Sequence, residues 1–123
     1  FPCALQDVIT TDNAHRIQAP YIVEGANKPT EQAAYASIYQ RGIHQIPDFI
    51  ANAGGVIAAF VELTSTVSIE ENIQTRAKVI EAKSLTREKI RSNVESIVRL
   101  SEQFNTSMRD AGLYIALGNI LRT

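Results

Sequence analysis

An α/β fold with about three parallel strands and a helical C-terminal segment is predicted by three observations. Short β-prone runs alternate with helical patterns up to Glu62, the links between them are brief, and no strand pattern recurs beyond that point. Alternation of this kind favours parallel strands joined by right-handed crossovers. The chain therefore divides into a strand-and-helix part, 1–62, and a helical part, 63–123.

Phe1 to Leu5 read as the end of a buried strand, with Pro2 tolerated at the strand terminus. Thr11 or Asp12 is placed to cap a short helix through Asn13–Ile17, and Pro20 ends it because the residue before a proline avoids helix. His15 falls on the surface of that helix. Tyr21-Ile22-Val23 is a β-prone run closing at Gly25. Asn27 to Thr30 form a polar turn, and Thr30 with Glu31 starts a helix carrying Ala33, Ala34, Ile38 and Tyr39 up to Gly42. Ile43 to Ile46 form the third strand, with His44 on an edge and without a partner that would make it catalytic.

The stretch Gly42 to Glu62 organises the rest. Pro47 and Asp48 stop the strand, the chain crosses Asn52-Ala53-Gly54-Gly55, and a helical pattern opens at Val56. Paired glycines at a helix mouth permit close approach by a ligand or by another backbone. In open parallel sheets, such crossings lie at the carboxyl ends of the strands, where ligands bind.

Beyond Glu62, Ser68-Ile69-Glu70-Glu71 matches a capping box ahead of Ile73, Ala77 and Ile80. Thr86 is expected to cap a second segment, in which Ile90, Val94, Ile97, Val98 and Phe104 recur at helical spacing, with Arg91, Glu95, Arg99 and Glu102 on the wet side. Asn105-Thr106-Ser107 breaks the chain. Ser107 with Asp110 then begins a last helix holding Met108, Ala111, Ile115, Ile120 and Leu121, in which Gly112 and Gly118 leave a narrow face for close packing.

At 123 residues and 45% hydrophobic content, the chain is one domain or part of one and can build a core. With 12 basic and 13 acidic residues dispersed along it, no field gathers nucleic acid or an anionic membrane, so small molecules or protein surfaces are the expected partners. Cys3 is the only cysteine and His15 and His44 the only histidines, which excludes an internal disulfide and a structural zinc site. A reducing, cytoplasmic compartment fits. No apolar run approaches a membrane span, and the N-terminal residues lack signal-peptide character. Because the sequence opens on Phe1, its first strand is expected to be cut or only just complete, as in a fragment or excised domain.

Three strings, in order, carry a resemblance. Pro2-Cys3-Ala4-Leu5, Glu24-Gly25-Ala26-Asn27 with Pro29-Thr30, and Pro47-Asp48-Phe49-Ile50-Ala51-Asn52-Ala53-Gly54-Gly55-Val56 resemble the glutamate, leucine, phenylalanine and valine dehydrogenase family. The matching part of that family is the C-terminal half of the nucleotide-binding domain. Ser107-Met108-Arg109-Asp110-Ala111 is similar to the family's C-terminal helix, so the likeness reaches both ends. It implies a partial Rossmann-like domain of an enzyme that deaminates an L-amino acid oxidatively to its 2-oxo acid with NAD or NADP, homo-oligomeric at full length. The competing expectation is a non-catalytic binding or interaction domain of the same architecture.

The resemblance implies that Pro2, Cys3, Ala4 and Gly25 line the cofactor with backbone, and that Asn27 and Asn52 supply side-chain amides near the nicotinamide and its ribose. An amide offers two donors and an acceptor oxygen, which suits a carboxamide and hydroxyls. Read by its own chemistry, Asn27 is an ordinary turn residue. Cys3 need not be reactive, since buried free thiols behave as small apolar groups.

The family's catalytic lysine and aspartate belong to a separate substrate domain, and its Gly-x-Gly-x-x-Gly fingerprint is absent from this sequence. No catalytic or metal-ligating residue is therefore assigned, and the chain alone is expected to be inactive. Gly54 and Ala59 are expected at the substrate pocket. Glutamate-using members carry a serine seven residues after the asparagine of Asn-Ala-Gly-Gly, where this chain has Ala59. That leans away from glutamate, whereas Glu24-Gly25-Ala26-Asn27 and Ile46-Pro47-Asp48-Phe49 look most like glutamate dehydrogenases. Lys28 stands where a small or uncharged residue is expected, and it meets either a phosphate or solvent.

Overall fold

The computed structural model describes residues 1–64 and 71–122, with side chains of 71–76 left aside. It is an α/β structure whose sheet, among the described residues, has two parallel strands, β1 (Tyr21–Val23) and β2 (His44–Ile46). Tyr21 stands opposite His44, Ile22 opposite Gln45 and Val23 opposite Ile46. The crossover between them carries α1 (Ala34–Gln40).

The expected strand at Phe1–Leu5 is not formed. Pro2 brings no N–H to a ladder, and the segment is held instead through one carbonyl, Pro2 O, which accepts from Gly25 N at 3.1 Å and Ala26 N at 2.9 Å. A parallel bridge pairs Ile9 with Thr30 outside the sheet. Thr30 therefore does not cap α1: Glu31 N donates to Ile9 O at 2.8 Å, and the Thr30 hydroxyl accepts from Gln45 Nε2 at 2.8 Å. Neither Thr11 nor Asp12 caps the short 3-10 turn Ala14–Arg16, whose cap position is Asn13. The Asn13 amide serves its own loop, accepting from Thr10 N and donating to Val8 O, both at 2.9 Å.

Gly42 ends α1 as expected. Its φ of 72° lets Ile43 N reach Ile38 O at 3.3 Å and Gly42 N reach Tyr39 O at 2.9 Å, a Schellman closure that a side chain at φ > 0 would strain. The chain emerges directly into β2. His44 is exposed and stacks on Tyr21 with ring centroids 5.3 Å apart.

The crossing after β2 holds a short helix, α2 (Asp48–Ala51), and α3 (Gly54–Thr64) opens at Gly54 rather than at Val56. The capping box at Ser68–Glu71 lies outside the described residues, apart from the backbone of Glu71. From there α4 (Glu71–Phe104) runs unbroken, so Thr86 caps nothing. Its methyl lies 3.3 Å from where a Cβ on Gly54 would sit, and the residue serves the α3–α4 contact. Asn105, at φ 47°, closes α4 through Thr106 N to Ser101 O at 3.0 Å.

Ser107 caps α5 (Met108–Ile120) as expected, its Oγ accepting from Asp110 N at 3.0 Å. Gly112 lies under Phe49, where a Cβ would come within 2.9 Å of the ring. Gly118 has no such neighbour, and Ile120 and Leu121 are exposed, because the buried cluster draws on α5 only as far as Ile115.

Two cores result. Ile9, Ala14, Ile22, Ala34, Ile38 and Ile43 gather on one side of the strands, and Ile50, Ile97 and Ala111 join α2, α4 and α5. The turn after β1 bears Gly25 and Asn27, and Asn52 ends the short helix α2, whose Ile50 belongs to the second cluster.

Candidate functional site

Period-two alternation puts Glu24 in phase with Ile22, and Gln45 in phase with Ile43, so both polar residues enter the protein with the apolar side of their strands. Glu24 is 0% exposed. A buried carboxylate persists only when donors surround it. Here Gln45 Nε2 donates to its Oε1 at 2.7 Å, Asp48 N to its Oε2 at 2.9 Å, and the Tyr35 hydroxyl reaches the two oxygens at 3.1 and 3.4 Å.

Arg109, brought in by the first turn of α5, donates from Nη1 to the Tyr35 hydroxyl at 3.3 Å and lies 4.3 Å from that ring's centroid. Burial raises the Tyr35 phenol from 10.0 to about 12; the Glu24 charge adds to the rise and Arg109 opposes it.

In front of this network is the turn Gly25–Lys28. Lys28 has φ 46°, donates its backbone N–H to Asp48 Oδ2 at 2.8 Å, and is exposed. The left-handed backbone accounts for the expectation of a small residue at this position. Next to it, Asn52 Nδ2 donates to Asn27 Oδ1 at 2.7 Å. That bond leaves the Asn27 amino group and the Asn52 carbonyl oxygen available, a donor beside an acceptor.

The structure thus brings together Pro2, Cys3, Gly25, Asn27 and Asn52. Pro2 is bonded to the Gly25–Ala26 amides, and the Cys3 sulfur would lie 2.6 Å from a Cβ on Gly25, so a side chain there would make the exposed Cys3 thiol turn aside. Cys3 is exposed, so the comparison with a buried thiol does not apply, and Ala4 is exposed beside it. Gly54 packs toward Thr86, and Ala59 lies exposed on α3. A separate cleft of about 210 Å³, lined by Tyr35, His44, Gln45, Ser107 and Arg109, does not include Asn27 or Asn52.

Glu24, Tyr35, Gln45 and Arg109 were not singled out as a network by sequence reasoning. The available signal was phase, since both Glu24 and Gln45 occupy the inward register of their strands.

A family model described as glutamate/leucine/phenylalanine/valine dehydrogenase matches residues 1–123. The NADP(+)-dependent glutamate dehydrogenase of Pyrobaculum calidifontis is 33% identical over 123 residues, covering 97% of this chain and 27% of that protein. The NAD-specific glutamate dehydrogenase of Staphylococcus aureus strain COL is 34% identical over 116 residues, covering 94% of this chain and 27% of that protein. Among solved structures, glutamate dehydrogenase from Peptoniphilus asaccharolyticus superposes with a TM-score of 0.76 at 24% identity, over 96% of this chain and 29% of that one, a likeness of fold. The chain thus spans about a quarter of the length of the curated relatives it matches.

Proposed function

The chain belongs to the glutamate/leucine/phenylalanine/valine dehydrogenase family, and on that premise we propose that it forms the nicotinamide side of an amino-acid dehydrogenase's cleft. The observation that carries this reading is the Asn27–Asn52 pair. Joined at 2.7 Å, it offers a free amino donor next to a free carbonyl acceptor, the complement of a carboxamide, which itself has one acceptor and one donor group. Pro2, Cys3, Ala4 and Gly25 form the adjoining backbone wall, tied together where Pro2 O accepts from the Gly25 and Ala26 amides.

When bound, the nicotinamide of NAD or NADP supplies the hydride acceptor, and this chain's residues orient it. The substrate is an L-amino acid, converted to its 2-oxo acid, with Gly54 and Ala59 on its side of the cleft. Relatives named for glutamate favour that amino acid, whereas the Ala59 methyl provides no donor for a side-chain carboxylate. Relatives of both cofactor types leave NAD and NADP equally in play. Taken alone, the chain is inactive, because the lysine and aspartate of the family's substrate domain have no counterpart in it. The complete enzyme is a cytoplasmic homo-oligomer, and the exposed apolar side of α3 at Val56, Phe60 and Leu63 suits burial in such an assembly. Among the described residues, no helix is long and apolar enough to cross a membrane.

The test is Asn52→Ala in the complete enzyme. Loss of one neutral hydrogen bond is worth about 1 kcal/mol, so kcat/KM for the cofactor falls about fivefold or more while the unfolding midpoint stays close to wild type. Unchanged kinetics would remove Asn52 from the site. A complete protein that oxidises no amino acid would favour the non-catalytic reading.

A further inference from the structure

Glu24 lies one residue before Gly25, at the end of β1, and contributes nothing to the exposed surface of the site. Its carboxylate nevertheless reaches forward to the first residue of α2, accepting from Asp48 N at 2.9 Å. Asp48 reaches back in the opposite sense, its Oδ2 accepting from Lys28 N at 2.8 Å. Two carboxylates thus clasp the β1 turn and α2 from both sides. Asn27 precedes Lys28 on one arm of the clasp. Asn52 ends α2 on the other, its N–H bonded to Asp48 O at 2.8 Å. The spacing of the two amides therefore follows from where the clasp holds the two segments.

We propose that Glu24 is the positioning residue of the amide pair: its buried carboxylate holds the start of α2 against the end of β1 and so sets the separation of Asn27 and Asn52. The significance of that pair for a nicotinamide rests on the reading given above.

The chemistry requires a carboxylate at this position. Gln45 Nε2, Asp48 N and the Tyr35 hydroxyl converge on two oxygens, and every one of these groups is a donor. Gln45 Nε2 is itself held by the Thr30 hydroxyl at 2.8 Å, and Tyr35 is held by Arg109. Glutamine at this position keeps the shape but removes the charge and turns one oxygen into an amino group, so Asp48 N and the Tyr35 hydroxyl lose an ionised acceptor and the Gln45 amide must turn over to accept. A compensating exchange exists: with Glu24→Gln and Gln45→Glu together, the new amide donates to the new carboxylate, Thr30 can donate to it, and Asp48 N retains an oxygen.

The experiment compares wild type, Glu24→Gln, and the Glu24→Gln/Gln45→Glu pair in the full-length protein, by hydrogen–deuterium exchange of segments 25–28 and 48–52 and by cofactor kinetics. Glu24→Gln is expected to speed exchange in both segments about ten- to a hundredfold and to raise KM for the nicotinamide cofactor more than it lowers kcat. The double exchange is expected to restore both. A role limited to fold stability would lower the unfolding midpoint without this KM-against-kcat split and without joint loss and recovery in the two segments.

Unchanged exchange in Glu24→Gln overturns the proposal, as does a folded double variant that leaves both segments unprotected. If Glu24→Gln does not fold, recovery of protection in the double variant supports the proposal and its absence overturns it. If protection is lost and recovered while cofactor KM never moves, Glu24 does position the pair, and it is the nicotinamide reading of Asn27 and Asn52 that fails.

Discussion

Up to Asn52, the chain buries a carboxylate alongside its isoleucines and satisfies it with specific donors; from α3 onward, among the described residues, burial is almost wholly apolar. Glu24 and Ile38 are equally sealed in the first region, and Val61, Ile97 and Ala111 are the sealed apolar side chains of the second. Hydrogen bonds demand particular partners at particular angles, so the first region is specified in detail. Apolar contact is non-directional, so the helices need only a complementary face, and they meet the first region through Ile50, Ile97, Ala111 and the ring of Phe49 over Gly112, with directional ties from Arg109 to Tyr35 and from the Tyr39 hydroxyl to Asn105 O. The site lies in the directional region.

The largest effect is expected where the two regions join. Ile97 is fully buried between Ile50 and Ala111, and Ile97→Ala should cost about 2–5 kcal/mol, read as a lower denaturation midpoint. If the regions fold as one unit, helical circular dichroism and a probe near the Asn27 turn shift together. Separate transitions would show that the directional region stands without the helices.

A second test probes the polar network by pH. Tyr35 is raised to about 12 in the folded protein, from 10.0 when unfolded. The folded state thus holds its proton more tightly, and the resulting stabilisation is fully present below pH 10.0 and is lost as pH rises through about 12. Denaturation midpoints on either side of that window should fall with pH in wild type, and Tyr35→Phe should remove this component. An identical slope in the variant would mean that the network does not hold the proton.

The smallest effect, of opposite sign, is expected at Lys28. Its φ of 46° costs a residue with a Cβ roughly 1–2 kcal/mol, partly offset by the greater freedom of glycine when unfolded. Lys28→Gly should therefore raise the unfolding free energy by up to about 1 kcal/mol, read as a higher midpoint, while leaving the bond to Asp48 intact. A loss of stability would show that the lysine side chain stabilises the turn.

Where markers are local, the fold was legible. Gly42 stops α1 by a rule of backbone sterics, Ser107 caps α5 as its spacing to Asp110 predicts, and the ordered strings singled out Asn27 and Asn52, which the fold joins at 2.7 Å. The first strand was not legible in this way. Phe1–Leu5 has strand-like residues, but a strand exists only where a neighbour completes its ladder, and here Pro2 O takes both bonds that tether the segment. Thr86 failed for a related reason: a hydroxyl that can cap a helix does so only where the helix begins, and α4 passes straight through it.

By itself, the sequence determined the α/β class and the two strands around α1, the turn chemistry at Gly42 and Asn105, and the family, since these depend on neighbours along the chain or on ordered strings. Tertiary structure alone decided that Glu24, Gln45, Tyr35 and Arg109 converge, although up to 85 positions separate them. Each is an unremarkable polar residue in its own segment. Only when β1, β2, α1 and α5 close on one another, shutting out water, do the donors find the Glu24 carboxylate and become the lowest-energy way to bury it.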